Sequence, residues 1–284
     1  MHKKVSIIGL GLIGGSIALD LKKSGFASHI IGVDASPIHR QQALQLGIAD
    51  EILPLSEAML QADLVVAAIP VNALMECLPH VLDIIPPHAV VTDVGSTKSA
   101  LINTVKNHPN RRQYVPSHPM AGTENSGPAA ALPHLFSGKV AVICNPDDSS
   151  AEALVTVRSM YAHLEARIVL MDADSHDEHV GYVSHLSHVI SYALAVAVLE
   201  KEKNDAAIFN LASAGFASTV RLAKSSVDMW LPIFLQNKDH ILPIINTYLD
   251  TLIRFKTYLE NDETDRLSDF IKEANKIRTK LEQK

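Results

Sequence analysis

Cysteine is nearly absent: 284 residues carry two, Cys77 and Cys144. That excludes a disulfide framework, and both positions read as small apolar residues, one in an expected helix and one at the end of an expected strand. A reducing cytoplasm is the expected setting. An excess of positive charge is also missing, with 25 Lys and Arg against 31 Asp and Glu. A net charge of −6 gives no reason to expect nucleic acid or an anionic membrane as partner, although a basic pocket for an acidic substrate needs only two or three residues. The apolar run that follows Met1-His2-Lys3-Lys4 is too short and glycine-rich for a signal peptide or membrane span, and later apolar stretches are read as broken by charge, Pro or Gly. Internal repeats and low-complexity stretches are missing too. What remains is 47% hydrophobic and 20% charged, the balance of a globular protein with a large core, over a length that suggests two domains.

The most informative stretch is Val5-Ser6-Ile7-Ile8-Gly9-Leu10-Gly11-Leu12-Ile13-Gly14. A β-branched run suited to a buried strand leads into G-x-G-x-x-G and then into a helical pattern. Gly9 permits the tight turn, Gly11 admits a pyrophosphate, and Gly14 allows close helix packing. The N–H groups at Leu12 and Ile13, at the positive end of the helix dipole, face the phosphates. Alone, this pattern also describes an ordinary tight turn. The next strand, Ile30-Ile31-Gly32-Val33, ends in Asp34, where a carboxylate can accept both ribose hydroxyls of an adenosine. Strand, turn, helix and acid in this order predict dinucleotide binding. Asp34 favours NAD, because a carboxylate repels a 2′-phosphate; Arg40 leaves NADP a possible route.

Further along, strands and helices alternate. Ser36-Pro37 starts a helix that stops at Gly47, Ile48–Ile52 reads as a connector or edge strand, and Leu55–Gln61 as a helix. Asp63–Ile69 is a buried strand closed by Pro70, so Ile69 and Pro70 fall on the cofactor rim. Ala89–Val94 delivers Gly95-Ser96-Thr97-Lys98 to the same rim. His118-Pro119-Met120-Ala121-Gly122-Thr123-Glu124-Asn125-Ser126-Gly127 is expected to be irregular throughout. Two more strands, 139–144 and 166–170, flank a helix. The alternation ends near Asp172, and from His176 onward the pattern is helical. The expected fold is therefore α/β, with a Rossmann-type dinucleotide-binding domain over 1–171 and an all-helical dimerisation and substrate domain over 172–284. His185–Leu199 is apolar on nearly all faces, which predicts burial against a second subunit.

Chemistry is expected at two rim clusters. Ser96 or Thr97 could simply cap a helix. His118, fixed by a following proline beside the cofactor, is a candidate for proton transfer. His185 and His188 share a helix face, but no third ligand accompanies them, and no metal is expected. Arg221 has small and apolar neighbours and suits a carboxylate ligand. Trp230 fits the site, a subunit contact or the core.

Three stretches resemble prephenate dehydrogenases, the family that also includes arogenate dehydrogenases: the glycine turn, Val91–Lys98, and His118–Gly127. So do His176-Asp177-Glu178 with Val183–His188, and Ser218–Ser225 with Met229-Trp230 and Asn237-Lys238. The chain departs from the family pattern at Ala214, where a glycine is frequent. The resemblance implies NAD-dependent oxidative decarboxylation of prephenate to 4-hydroxyphenylpyruvate in tyrosine biosynthesis, by a homodimer. It further implies that His118 accepts the ring hydroxyl's proton and that Ser96 bonds either that hydroxyl or His118. Arg221 and His188 would hold the substrate, with Glu124 at the pocket mouth. Three alternatives stand: arogenate as substrate, a β-hydroxyacid or imine-reducing dehydrogenase of the same two-domain layout, and a dinucleotide sensor without catalysis. The second would usually offer a lysine where His185 and His188 stand, and the third is disfavoured by the presence of Ser96, His118 and Arg221 together.

Overall fold

The structure is a computed structural model that describes residues 3–203 and 206–282. By packing it divides into residues 1–237 and 238–284.

In the first unit, six strands form a parallel sheet: β1 (Lys3–Ile8), β2 (Ala27–Val33), β3 (Glu51–Ile52), β4 (Leu64–Ala67), β5 (Val90–Asp93) and β6 (Tyr114–Val115), in the order β3-β2-β1-β4-β5-β6. Val5, Ile7, Ile30, Ile31, Leu64, Val65, Val66 and Val91 are buried, as expected of strands covered on both faces. The covering helices are α1 (Leu12–Lys23), α2 (Pro37–Gln45), α3 (Leu55–Gln61), α4 (Val71–Ile84) and α5 (Ser99–Thr104). Ser36 caps α2 by accepting from the His39 N–H, with Pro37 at its first position. Because all six strands run the same way, their carboxyl ends share one rim. The order reverses between β1 and β4, which opens the crevice where ligands of such sheets sit.

One expectation changes here. The strands expected at 139–144 and 166–170 are present but lie outside the main sheet. Together with a short third strand they form a second one, ordered β7 (Ser117–Pro119), β8 (Val140–Cys144), β9 (Arg167–Met171), with α6 (Ala151–His163) between the last two. His118 is therefore on a strand, paired antiparallel with β8 opposite Val142, and not in an irregular loop. The physical reason lies in two prolines. Pro116 has no N–H to continue the β6 ladder, and the chain passes to the other sheet. Pro119 ends a strand at that sheet's edge, where a missing donor is tolerated. The segment after Pro119 then runs back over α1: Ser16 Oγ accepts the Leu132 N–H at 2.9 Å and the Asp20 carboxylate accepts the His134 N–H at 3.0 Å.

The helical continuation comprises α7 (Ala173–Val180), a π turn (Gly181–His185), α8 (Leu186–Glu202), α9 (Ala214–Thr219) and α10 (Val227–Gln236). The first three form one helix over Ala173–Glu202, which by length and composition is apolar enough to cross a membrane. That departs from the expectation that every late apolar stretch is interrupted. Its buried residues include the polar His176, Asp177, His185, His188 and Ser191 beside Ala173 and Val180. Val183, Val196 and Leu199 are exposed within the chain. Cys77 and Cys144 are free thiols.

The second unit holds α11 (Lys238–Glu260), α12 (Thr264–Asn275) and α13 (Ile277–Glu282). Phe255 and Phe270 pack edge to face at 5.4 Å, and ion pairs such as Arg266–Glu263 and Lys272–Asp269 lie on α12. Leu252, Ile253, Leu259, Ile271 and Leu281 are exposed.

Candidate functional site

The glycine turn is built for its shape. Gly9 has φ +92°, and a Cβ there would lie 2.3 Å from the Ala68 carbonyl oxygen and 2.8 Å from Ile69 Cγ2. At Gly14 a Cβ would meet the Gly9 carbonyl at 2.0 Å. Gly11 differs, since the nearest atom to its missing Cβ is the Gly127 nitrogen at 3.9 Å. Fold packing therefore requires glycine at 9 and 14, and the space over Gly11 is left open. No side chain caps α1, so the N–H groups of its first turn, at Leu12 and Ile13, remain for a ligand. Asp34 accepts the Leu10 N–H at 2.9 Å and the Ser36 N–H at 2.8 Å, one on each oxygen, with His39 Nδ1 3.5 Å away. Each carboxylate oxygen keeps a second acceptor site, enough for a pair of ribose hydroxyls. Ile69 and Pro70 follow β4 beside this turn, and Pro70 heads α4. These residues fit a dinucleotide.

Next along the rim is a buried polar network that fixes the start of β7. The Lys98 ammonium, fully buried, bonds Asp93 and donates to the Ser117 carbonyl at 2.7 Å. Asp93 also accepts from Tyr114 Oη at 2.6 Å, the Gly95 N–H at 2.8 Å and the Ser117 N–H at 3.2 Å. The Ser117 hydroxyl donates to the Asp93 carbonyl at 2.7 Å and meets Tyr161 Oη at 2.6 Å. The residue before His118 is thus held from several directions.

His118 is 9% exposed. Its Nδ1 lies 2.9 Å from His176 Nε2, and His176 Nδ1 lies 2.8 Å from Asp177 Oδ1. Asp177 in turn accepts the N–H groups of Lys98 (2.8 and 3.1 Å) and Ser99 (2.8 Å) and so caps α5. Burial pushes the His118 imidazole well below its ordinary value, and His176, Lys98 and His185 add to the effect. Burial alone would raise the Asp177 carboxyl, but the His176 bond and the Ser99 and Lys98 N–H groups hold it below the usual range. Neither the capping nor the His118 contact falls to Ser96. Ser96 is half-buried at the rim, and no partner of its hydroxyl is found among the described residues.

His185 and His188 take different environments. His185, buried, faces the Asn237 amide at 2.9 Å, and burial brings it down to about 4. It packs against Trp230, edge to face at 5.8 Å. His188 uses Nδ1 on the Ser184 carbonyl at 3.0 Å and stacks on Trp230 with ring centres 3.4 Å apart. Burial lowers it as well, with the Ser184 carbonyl opposing and Arg221 adding. Trp230 is 7% exposed, packs on Val71, Ile233 and Phe234, and its buried Nε1 has no partner among the described residues. Arg221 is half exposed and donates to Glu124 at 3.1 Å, which joins the segment after His118 to the helical part. The Glu124 carboxyl lies below its usual range through its own backbone N–H and Arg221. Among the described residues no group of three or more His, Cys, Asp or Glu could hold a metal.

The sequence reading brought His176 and Asp177 in only through a family resemblance, and missed Asn237's bonds to His185 and to the Asp177 carbonyl (2.7 Å). The available signal was a buried-type His-Asp pair opening the first helix beyond the last strand.

A parallel sheet with a switch point, an open glycine turn, an acid after the second strand and a buried histidine on the same rim together define a dinucleotide-dependent dehydrogenase. Two family models match most of the chain, the prephenate dehydrogenase nucleotide-binding domain over residues 17–170 and the prephenate dehydrogenase dimerization domain over 172–284. The chain belongs to the prephenate dehydrogenase family. The cyclohexadienyl dehydrogenase of Zymomonas mobilis is 32% identical across 99% of this chain and 97% of its own length. A crystal structure of prephenate dehydrogenase from A. aeolicus, in complex with hydroxyphenyl propionate and NAD+, superposes with a TM-score of 0.91 at 30% identity, over 99% of this chain and 98% of that one. The arogenate dehydrogenase of Synechocystis gives a TM-score of 0.76 at 27% identity, over 98% and 99%.

Proposed function

We propose that this chain oxidises prephenate with NAD+ and releases 4-hydroxyphenylpyruvate, CO2 and NADH. The observation that carries the reading is His118: a buried imidazole, kept neutral by its surroundings, on the rim beside the dinucleotide turn. NAD is the cofactor and accepts the hydride from the carbinol carbon. The protein's own residues handle the rest. His118 takes the hydroxyl proton as the hydride leaves. Ser96, with its hydroxyl unclaimed, bonds the same oxygen. Arg221 binds a substrate carboxylate through its planar fork, with His188 beside it. Glu124 holds Arg221 until substrate replaces it. Decarboxylation needs no further group, because the ring becomes aromatic as CO2 departs.

Residues 1–171 are assigned to nucleotide binding and 172–284 to substrate binding and dimerisation. The exposed apolar residues of α8, and separately those of α11 and α12, support a homodimer. Cytoplasmic location accords with the free thiols.

Arogenate is the second reading, supported by the Synechocystis relative. Steady-state assays with both substrates and with NAD+ and NADP+ separate the possibilities. His118→Asn should abolish turnover and leave the NAD dissociation constant within about twofold. Full turnover in that variant would remove His118 from the reaction.

A further inference from the structure

We propose that His176 and Asp177 are positioning residues that keep the His118 proton on Nδ1 and leave Nε2 as the lone pair that meets the substrate. Asp177 accepts backbone N–H groups from Lys98 and Ser99 on its two oxygens, so it is ionised and offers only acceptor sites. The His176 nitrogen 2.8 Å from it must therefore carry a proton. In a neutral His176 this fixes the tautomer, with the proton on Nδ1 and a lone pair on Nε2. That lone pair faces His118 Nδ1 at 2.9 Å, a distance two lone pairs do not tolerate. His118 supplies the proton from Nδ1, and its Nε2 is free to accept one. The sequence of bonds runs from the α5 N-terminus through Asp177 and His176 to His118, with these three side chains buried.

The helix that carries the pair is shaped for this task. In a regular α-helix His176 and His188 would sit about 120° apart; the π turn at Gly181–His185 absorbs one residue and brings them to within about 20°. The substrate-side histidine and the positioning histidine thus share one face. Lys98 and His185 are the other titratable groups that act on His118, and neither bonds its ring. The competing arrangement is an imidazolium at His176, which would donate from both nitrogens, leave the lone pair of His118 on Nδ1 and put its proton on Nε2.

The catalytic consequence rests on His118 being the proton acceptor; the tautomer itself does not. The test uses the full chain labelled with 15N-histidine at pH 7.5, with His118 assigned by difference against His118→Asn. A protonated, pyrrole-type Nδ1 and a bare, pyridine-type Nε2 at His118 are expected, and a protonated Nε2 overturns the proposal. In Asp177→Asn the amide oxygen must serve the Lys98 and Ser99 N–H groups, so its NH2 faces His176 and both imidazoles reverse. The expected result is a His118 proton on Nε2, with kcat on prephenate lowered on the order of a hundredfold or more and KM within about twofold. A loss of kcat with KM rising alongside and the His118 tautomer unchanged would make the pair structural only and overturn the proposal. If Asp177→Asn does not fold, the wild-type spectrum decides alone. If prephenate is not the substrate, turnover is missing in wild type and variant alike, while the spectrum still reads the tautomer.

Discussion

Lys98→Met is the sharpest probe of how the protein holds its histidine in place. Lys98 and Asp93 are both fully buried, and the ammonium also bonds the Ser117 carbonyl. Methionine matches the length of the lysine stem, so the change removes charge with little loss of packing. Asp93 then keeps its bonds to Tyr114, Gly95 and Ser117, but it becomes a buried carboxylate without a counter-ion. Breaking a buried pair from one side costs about 3–5 kcal/mol, more than the neutral hydrogen bonds around it recover. For a unit of this size each kcal/mol lowers the melting temperature by about 2–4 °C, so a drop of roughly 6–20 °C is expected at pH 7. Thermal unfolding followed by circular dichroism reads it. Adding Asp93→Asn should restore at least about 1 kcal/mol, because the orphaned charge is then gone. A single-variant change below about 1 kcal/mol, or a double variant worse than the sum of the singles, would refute the reasoning.

Three further outcomes are expected. Gly11→Val should leave the melting temperature within about 2 °C, since its Cβ meets nothing closer than 3.9 Å, yet weaken NAD binding at least about tenfold by filling the pyrophosphate space; thermal unfolding checks the first half and titration calorimetry the second. His185, at about 4 in the folded chain and about 6.5 unfolded, binds a proton more readily when unfolded. Its neutral burial therefore stabilises fully above pH 6.5 and is lost as the pH falls toward 4, worth about 3 kcal/mol; a pH series of denaturant midpoints should show the decline, and His185→Asn should flatten part of it. Arg221→Gln should raise KM for prephenate by the equivalent of about 2 kcal/mol, roughly thirtyfold, with kcat much less affected; an unchanged KM would take Arg221 out of the substrate site.

How much of this was legible in the sequence differs residue by residue. The glycine turn and Asp34 were readable because each position answers to one steric or electrostatic demand, and the structure's clashes at Gly9 and Gly14 and open space at Gly11 follow the same logic. His118 was found by its neighbourhood, but its strand was not, because Pro, Gly and polar residues mask a three-residue pairing that only β8 creates. The His176 and Asp177 contacts were out of reach for another reason. In regular helical counting His176 and His185 lie about half a turn apart, on opposite faces. The π turn that corrects the phase leaves no mark in composition. Helix–helix contacts such as Asp177 of α7 on α5 join residues nearly eighty positions apart, beyond any local pattern.

We propose above all that the dinucleotide rim, with His118 and Arg221, oxidises prephenate. The most direct measurement mixes purified protein, NAD+ and prephenate, and follows NADH absorbance together with released CO2. Saturable turnover with one CO2 per NADH is the expected result. An absence of NADH with both prephenate and arogenate, from a folded protein that still binds NAD, would contradict it.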